Sequence, residues 1–180
     1  VPGLVRKMAL IHDRFGKLPW RDLFTRAIQL AEYGFVVTPR LSKLLKKEFK
    51  RFGIDTKTRL YFFPDGKNPL KSGDILHNQD YADSLKKIAL KGPDIFYRGY
   101  LATDIIKAVH NVPMNKGLLA VEDLANYQAK YRDPICDFYR EYKVCSMGEP
   151  SSGGLTLIQS LKLLEKFDLK SMAPNDPKAW

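Results

Sequence analysis

The sequence predicts a mainly α-helical chain with a small β-hairpin, an α+β class. Over residues 1–132, apolar side chains recur at the three- and four-residue spacing of amphipathic helices, and glycines or prolines separate the runs. From Asp133 the spacing changes to about two, which is typical of strands. We therefore expect a helical region over residues 1–132, and a hairpin, a corner and a helix over residues 133–180, in one compact domain.

The helices of the first region are delimited by residues that favour helix ends. In chain order, these predicted helices cover residues 4–16, 19–34, 38–53, 78–92, 100–110 and a short stretch from 121. Thr38 and Asn78 stand at two of the starts, where each can act as an N-cap. Gly34 and Gly53 stand at two of the ends, where glycine is the preferred residue.

Three strands are predicted between and after these helices. Leu60–Phe63 is a short aromatic run that stops at a turn, Pro64-Asp65-Gly66. Ile135–Tyr139 and Tyr142–Met147 alternate as the two strands of a hairpin around Arg140-Glu141. A leucine-rich stretch after the second of these strands predicts a final helix.

The net charge of +10, from 30 Lys and Arg against 20 Asp and Glu, raises the question of nucleic-acid binding. In the densest basic run, residues 43–51, Leu44, Leu45 and Phe49 fall at helical spacing. The lysines between them are therefore interpreted as the solvent face of an amphipathic helix. The sequence contains no zinc-finger or RNP-type pattern, so we predict no nucleic-acid partner.

The chain has two cysteines and three histidines in no metal-binding pattern, so we predict neither a metal site nor a cofactor. It has no apolar run of the length that a membrane helix needs. Its first residues, Val1-Pro2-Gly3, lack an initiator Met and a signal-peptide pattern. We therefore expect a segment from inside a longer protein.

Residues 149–155, Glu-Pro-Ser-Ser-Gly-Gly-Leu, form the main candidate site. A strand followed by this turn and a helix would bring free N–H groups and the positive end of the helix dipole together. The candidate substrate-binding residues are therefore Ser151, Ser152, Gly153 and Gly154. A serine nucleophile is a second hypothesis, but it needs a base and an orienting group, and no motif links a histidine to these serines. The pattern favours a structural corner, in which a serine caps the helix and the glycines, Gly153 in particular, allow an unusual φ or close packing.

Cys136 and Cys145 lie on the two strands of the predicted hairpin. A two-residue loop at Arg140-Glu141 would place them opposite each other, with Cα atoms about 4.5 Å apart, which a disulfide can span. A longer loop would shift the register by one residue and turn the two thiols to opposite faces. Both arrangements remain open at this point.

Five blocks of the chain, in order, resemble the large subunit of the gamma-glutamyltranspeptidase family. These blocks are VPGLV (1–5), DRFGKLPWRDLFTRAIQLAEYGFVV (13–37), GPDIFYRGYLATDI (92–105), GLLAVEDLANYQAKYRDPI (117–135) and SMGEPSSGGLTLIQSLKLLEKFDL (146–169). The Pro-Ser-Ser-Gly-Gly block is the most specific of them. The chain departs from the family at four positions. The family usually has proline where Gly148 and Glu149 stand, and glycine where Lys7 and Glu141 stand. A glutamate at a φ > 0 position costs about 1 kcal/mol, so a different turn is expected at Glu141.

The resemblance implies an N-terminal-nucleophile (αββα) hydrolase, of which this chain is the helical part of the large subunit, isolated as a fragment. Members cut themselves into a large and a small subunit, and the newly exposed Thr attacks the gamma-glutamyl carbonyl of glutathione or a similar donor. The acyl group then passes to water, an amino acid or a peptide. The implied partners are the small subunit of the same precursor and the gamma-glutamyl substrate. The implied location is outside the cytoplasm, in the periplasm or the medium for a bacterium, and no cofactor is implied.

Carried over to these residues, the resemblance assigns no catalytic residue to the chain. It places the nucleophile downstream of Trp180 and the arginine that pairs with the substrate carboxylate upstream of Val1. No threonine present here matches the self-cleavage context: Thr25, Thr38, Thr56, Thr58, Thr103 and Thr156. The corner is therefore expected to be scaffold. The alternatives are a cephalosporin-acylase-like relative with the same fold and processing, and a non-catalytic basic helical module that binds acidic partners.

Overall fold

A computed structural model describes residues 1–52, 54–112, 115–173 and 175–177. The contacts between its Cα atoms divide the chain into two compact units, residues 1–129 and 130–180. Within the described residues, the first unit is mainly helical and the second combines a hairpin with one long helix. The predicted class, mainly α with a small hairpin, is confirmed.

The described helices of the first unit follow one another with short joints. They are α1 (Leu4–Phe15), a 3-10 turn (Trp20–Phe24), α2 (Thr25–Tyr33), α3 (Pro39–Lys47), α4 (Phe49–Phe52), α5 (Thr56–Phe62), α6 (Gln79–Lys91), α7 (Asp94–Arg98), α8 (Tyr100–His110) and α9 (Val121–Ala125). Both predicted N-caps are present. The Thr38 hydroxyl accepts the N–H of Leu41 at 3.2 Å, and the Asn78 side chain accepts the N–H of Tyr81 at 2.9 Å. The predicted helix end at Gly53 lies outside the described residues.

The predicted strand Leu60–Phe63 is wrong, because Leu60, Tyr61 and Phe62 belong to α5. The Asp55 carboxylate caps that helix by accepting the N–H of Thr58 at 2.7 Å, and this hydrogen bond lowers the pKa of Asp55. Phe63 directly follows the helix and is fully buried, with its ring centre 4.9 Å from that of Phe49. A four-residue apolar run is too short for its periodicity to separate a strand from one turn of a helix. The cap and the burial of the aromatic ring favour the helix.

A pair of very short strands in the first unit was not predicted. β1 (Phe35–Val36) pairs antiparallel with β2 (Ile75–Leu76). Strands of two residues have no measurable periodicity, so sequence spacing could not reveal them. The two segments are far apart in the chain, and only the tertiary structure brings them together.

Tyr97 is the centre of the core in the first unit, and its side chain is fully buried. Its hydroxyl donates a hydrogen bond to the Pro2 carbonyl at 2.9 Å and accepts one from the N–H of Arg6, also at 2.9 Å. Helix α1 starts after Gly3, which has no side chain to cap it, so Tyr97 satisfies one of the free N–H groups of the first turn. The Arg6 guanidinium lies 4.5 Å from the centre of the Tyr97 ring and pairs with Asp94 at 2.9 Å.

The second unit contains the predicted hairpin in the register of a two-residue loop. Its strands are β3 (Ile135–Tyr139) and β4 (Tyr142–Ser146), so the second strand ends one residue earlier than predicted. Cys136 lies opposite Cys145, and a disulfide joins them with their Cα atoms 4.2 Å apart. The positive φ of the turn, +54°, falls on Arg140 instead of Glu141. The cost of a side chain at positive φ therefore falls on Arg140 and not on Glu141.

The last helix, α10 (Ser152–Leu164), is tied to the hairpin by Glu165. One oxygen of this carboxylate accepts the N–H of Arg140 in the turn at 2.7 Å. The other pairs with the Lys162 ammonium, also at 2.7 Å, and Lys162 donates to the carbonyl of Phe138 at 3.1 Å. The hydrogen bond from Lys162 and then the Arg140 N–H lower the pKa of Glu165 below its ordinary value. The end of the helix thus holds the tip of the hairpin.

Replacement of Tyr97 by Phe is expected to destabilise the protein by about 1–3 kcal/mol, because the Pro2 carbonyl and the Arg6 N–H would lose their buried partner. Chemical denaturation followed by circular dichroism measures the loss. Tyr81→Phe is the matched control, since Tyr81 is exposed and should change stability by less than about 0.5 kcal/mol. Equal stability of the two variants would contradict the assigned role of the Tyr97 hydroxyl.

The Glu165 contacts predict a pH-dependent contribution to stability. Because the folded-state pKa of Glu165 is lowered from 4.5, its contribution is present above that pH and is lost as the pH falls through the lowered value. The melting temperature of the wild type should exceed that of Glu165→Gln at pH 7, and the difference should shrink as the pH falls below 4.5. Glu141→Gln, at an exposed position in the turn, serves as the control and should retain the wild-type profile. A constant difference between pH 7 and 3 would refute the assignment.

Candidate functional site

The four candidate residues lie where β4 leads into α10. Ser151 is the N-cap of the helix, and its hydroxyl oxygen accepts the N–H of Gly153 at 3.4 Å. The N–H of Ser151 itself donates to the carbonyl of Gly148 at 3.1 Å, which closes the turn before the helix. Ser151 is half-buried and Ser152 is exposed. The Ser151 side chain therefore makes the helix cap that the structural interpretation of the motif predicted.

Gly154 is the constrained glycine of the corner. It is buried, and a Cβ built on it would collide with the carbonyl oxygen of Met147, while lying 3.0 Å from the carbonyl carbon and 3.1 Å from Cβ of Ser146. The first turn of α10 therefore packs directly on the backbone at the end of β4, and a larger residue has no room there. The expectation that Gly153 needs the small side chain is wrong. Its φ is not positive, and a Cβ there would meet only the Ser151 hydroxyl, at an ordinary 3.5 Å.

Two residues that hold the second unit together, Met147 at the corner and Glu165 at the far end of α10, were missed in the sequence analysis. Met147 contributes its backbone carbonyl, which any residue type would supply, so its identity gave no signal. Glu165 contacts Arg140, a residue 25 positions away, and no local spacing rule covers such a separation. Lys162 and Glu165 stand at the i, i+3 spacing of helical ion pairs. This spacing is the one feature of the arrangement that can be recognised in the sequence.

Two of the three histidines make local structural contacts. Nε2 of His12 lies 2.8 Å from the carbonyl oxygen of Leu18, and Nε2 of His110 lies 2.9 Å from that of Leu119. A carbonyl oxygen only accepts, so each of these nitrogens carries the proton and donates it. Both side chains thus link a helix to the loop beside it.

The described residues include no group of three or more His, Cys, Asp or Glu side chains arranged to hold a metal ion. In those same ranges, no helix has the length and apolar character needed to cross a bilayer. The basic run extends over α3 and α4, and its part in α3 is amphipathic. Leu45 is buried and Lys43, Lys46 and Lys47 are exposed, although Leu44 remains 44% exposed.

The two glycines of the corner offer a matched pair of substitutions. Gly154→Ala should destabilise the protein by about 1–3 kcal/mol, because its methyl group has to displace the Met147 backbone. Gly153→Ala should cause no loss and a gain of up to about 1 kcal/mol, since alanine favours the helix and the site has room. Ser151→Ala should fall between them, with a loss of about 1 kcal/mol from the missing cap. Denaturant unfolding of the three variants measures the order, and a loss at Gly153 as large as that at Gly154 would refute this geometry.

Known proteins match this chain over nearly its whole length. The family model described as gamma-glutamyltranspeptidase matches residues 1–180. The chain is 38% identical to a glutathione hydrolase proenzyme of Escherichia coli K12 over 174 residues, which are 94% of this chain and 29% of that protein. It is 40% identical to the acylase ACY 1 proenzyme of Pseudomonas sp. SE83 over 175 residues, which are 96% of this chain and 30% of that protein.

A solved structure shares the fold over nearly the whole chain. The gamma-glutamyltranspeptidase of Helicobacter pylori superimposes with a TM-score of 0.92 at 35% identity, over 99% of this chain and 50% of that chain. The present chain therefore spans less than a third of the two sequence relatives and half of the structural one. A family match over all 180 residues, with the corner and its flanking elements included, identifies the chain as a member of the gamma-glutamyltranspeptidase family.

Proposed function

We propose that the protein to which this chain belongs is a gamma-glutamyltransferase and glutathione hydrolase. The observation that carries this proposal is the family match over residues 1–180, together with 38% identity to a protein named as a glutathione hydrolase. Such an enzyme breaks the amide bond between the gamma-carboxyl of glutamate and an amine. It passes the gamma-glutamyl group to water, an amino acid or a peptide.

In this proposal the chain supplies scaffold and no reacting group. Two features of the corner support that role. The Ser151 hydroxyl is engaged as a helix cap, and the Gly154 position is filled by backbone packing. Ser152 and Gly153 are exposed at the start of α10, so they are the members of the motif that remain available to contact a substrate. The nucleophile is proposed to be an N-terminal Thr outside these residues.

The proposed chemistry uses that Thr as an activated hydroxyl, with its own amine as the base. The hydroxyl oxygen attacks the gamma-glutamyl carbonyl, and the leaving amine takes a proton. Water or an acceptor amine then attacks the resulting ester and releases the Thr. The small subunit of the same precursor is the proposed partner, which fits the word proenzyme in the names of both relatives.

We also propose that the protein is exported, to the periplasm or the medium if its source is a bacterium. The disulfide between Cys136 and Cys145 supports this location, because disulfides persist in oxidising compartments and are rare in the cytosol.

An acylase is the second candidate function. It is favoured by 40% identity to the acylase of Pseudomonas sp. SE83, which is as high as the identity to the glutathione hydrolase. An acylase of this kind would share the processing and the scaffold but accept another acyl group. The two functions therefore differ in the substrate and not in the role of this chain.

The discriminating experiment uses the processed, purified precursor and two anilides that differ by one group. One carries a gamma-glutamyl group, and the other carries a glutaryl group, which lacks the α-amino group. The proposed function predicts that the gamma-glutamyl anilide has the higher kcat/KM and that glutathione competes with it. A preference for the glutaryl anilide would favour the acylase, and no processing and no turnover of either would refute both.

The isolated chain of residues 1–180 is expected neither to hydrolyse a gamma-glutamyl anilide nor to cleave itself, because it lacks the proposed Thr. The measurement is release of the aniline chromophore, with mass spectrometry of the chain after prolonged incubation. Turnover by the isolated chain that Ser151→Ala or Ser152→Ala abolishes would make a serine the nucleophile and overturn the scaffold role.

A further inference from the structure

The disulfide of the second unit lies on the open face of its hairpin. Cys136 and Cys145 are both exposed, as are Phe138 and Lys143, the neighbouring cross-strand pair on the same face. The opposite face includes four partly buried residues: Ile135, Tyr139, Val144 and Ser146. The exposure of both cysteines leaves this face of the hairpin open to a small molecule in the described unit.

We propose that this disulfide is a thiol-exchange site, at which a small anionic thiolate opens the bond and modifies Cys136. The proposal goes beyond the enzyme function and does not rest on it, because exchange requires a sulfhydryl group and not a gamma-glutamyl bond. The chain's net charge of +10 favours the approach of an anionic thiolate over a cationic one.

The exchange starts with attack of the thiolate on Sγ of Cys136. The disulfide bond breaks, and its electron pair leaves with Sγ of Cys145. Lys143 lies two residues from Cys145 on the same face, and its positive charge stabilises the departing thiolate. A second thiolate then attacks the mixed disulfide, releases the Cys136 thiolate and departs as a small-molecule disulfide. Two small thiols are thus oxidised, the two cysteines are reduced, and the two protons of the thiols pass to the cysteines.

Opening of the bond affects the corner, because β4 ends two residues before Gly148. Ser146 and Met147, which follow Cys145 directly, are the residues on which Gly154 packs. A two-stranded hairpin has little stability of its own, so its strand end is held partly by this cross-link. The redox state of the pair therefore sets how firmly the corner is supported.

The first experiment treats the folded, purified protein with 2-mercaptoethanesulfonate, an anionic thiol that has no gamma-glutamyl bond. The reaction is stopped with acid, free thiols are alkylated, and peptides are identified by mass. We expect a trapped intermediate with the small thiol on Cys136 and the alkyl group on Cys145, formed at a rate proportional to thiol concentration. A rate that saturates at the rate of global unfolding would overturn the proposal, as would alkylation of either cysteine before the thiol is added.

Two lysine variants test the leaving group. Lys143→Gln should slow exchange about threefold at low salt, because one positive charge near Cys145 is lost. Lys143→Arg keeps the positive charge at this position and should leave the rate unchanged. Equal rates in the wild type and both variants would overturn the assignment of Cys145 as the leaving thiolate.

A third measurement tests the effect on the corner. Reduced wild type and the Cys136→Ser/Cys145→Ser double variant should both melt several degrees below the oxidised wild type and exchange the amide hydrogens of residues 146–153 faster. The double variant should not respond to added thiol. If it fails to fold, the comparison of oxidised with reduced wild type still decides the result. Identical melting and exchange in those two states would show that the bond does not support the corner.

Discussion

The second unit depends on the contact between Gly154 and the backbone of Met147. A helix can begin this close to the end of a strand only when its first turn lacks a side chain at the point of contact. That constraint sets the direction in which α10 leaves β4. Because this direction is set, Glu165, which follows the last residue of α10, reaches Arg140 in the hairpin turn. The end of the helix and the tip of the hairpin are thus held together.

The first unit meets a comparable constraint with a buried polar group. The Tyr97 hydroxyl lies in the core, where an unpaired polar atom is costly, and it is satisfied on both sides by backbone atoms of the N-terminal segment. The Ser151 hydroxyl and two histidine rings are engaged in the same local way. These polar side chains thus hold the backbone in place, which fits the scaffold role proposed for this chain.

The elements that the sequence predicted well are those with local causes. Thr38 and Asn78 cap helices because their side chains reach an N–H group three residues on, and the two-residue spacing of β3 and β4 follows from alternation alone. The error at Leu60–Phe63 has the opposite cause. Its periodicity was ambiguous, and the burial of Phe63 against Phe49 depends on residues that are not neighbours in the chain.

By itself, the sequence determined the resemblance to the family, the presence of most of the long helices and two possible registers for the hairpin, because these follow from motifs, caps and spacing. Only the tertiary structure decided that Cys136 bonds to Cys145, that Gly154 and not Gly153 is constrained, and that Glu165 holds the turn. The reason is physical. The register of the hairpin, the close approach at Gly154 and the contact of Glu165 with Arg140 depend on distances between residues that are not neighbours in the chain. Gly153 and Gly154 are adjacent in the sequence, and only the surrounding backbone distinguishes them.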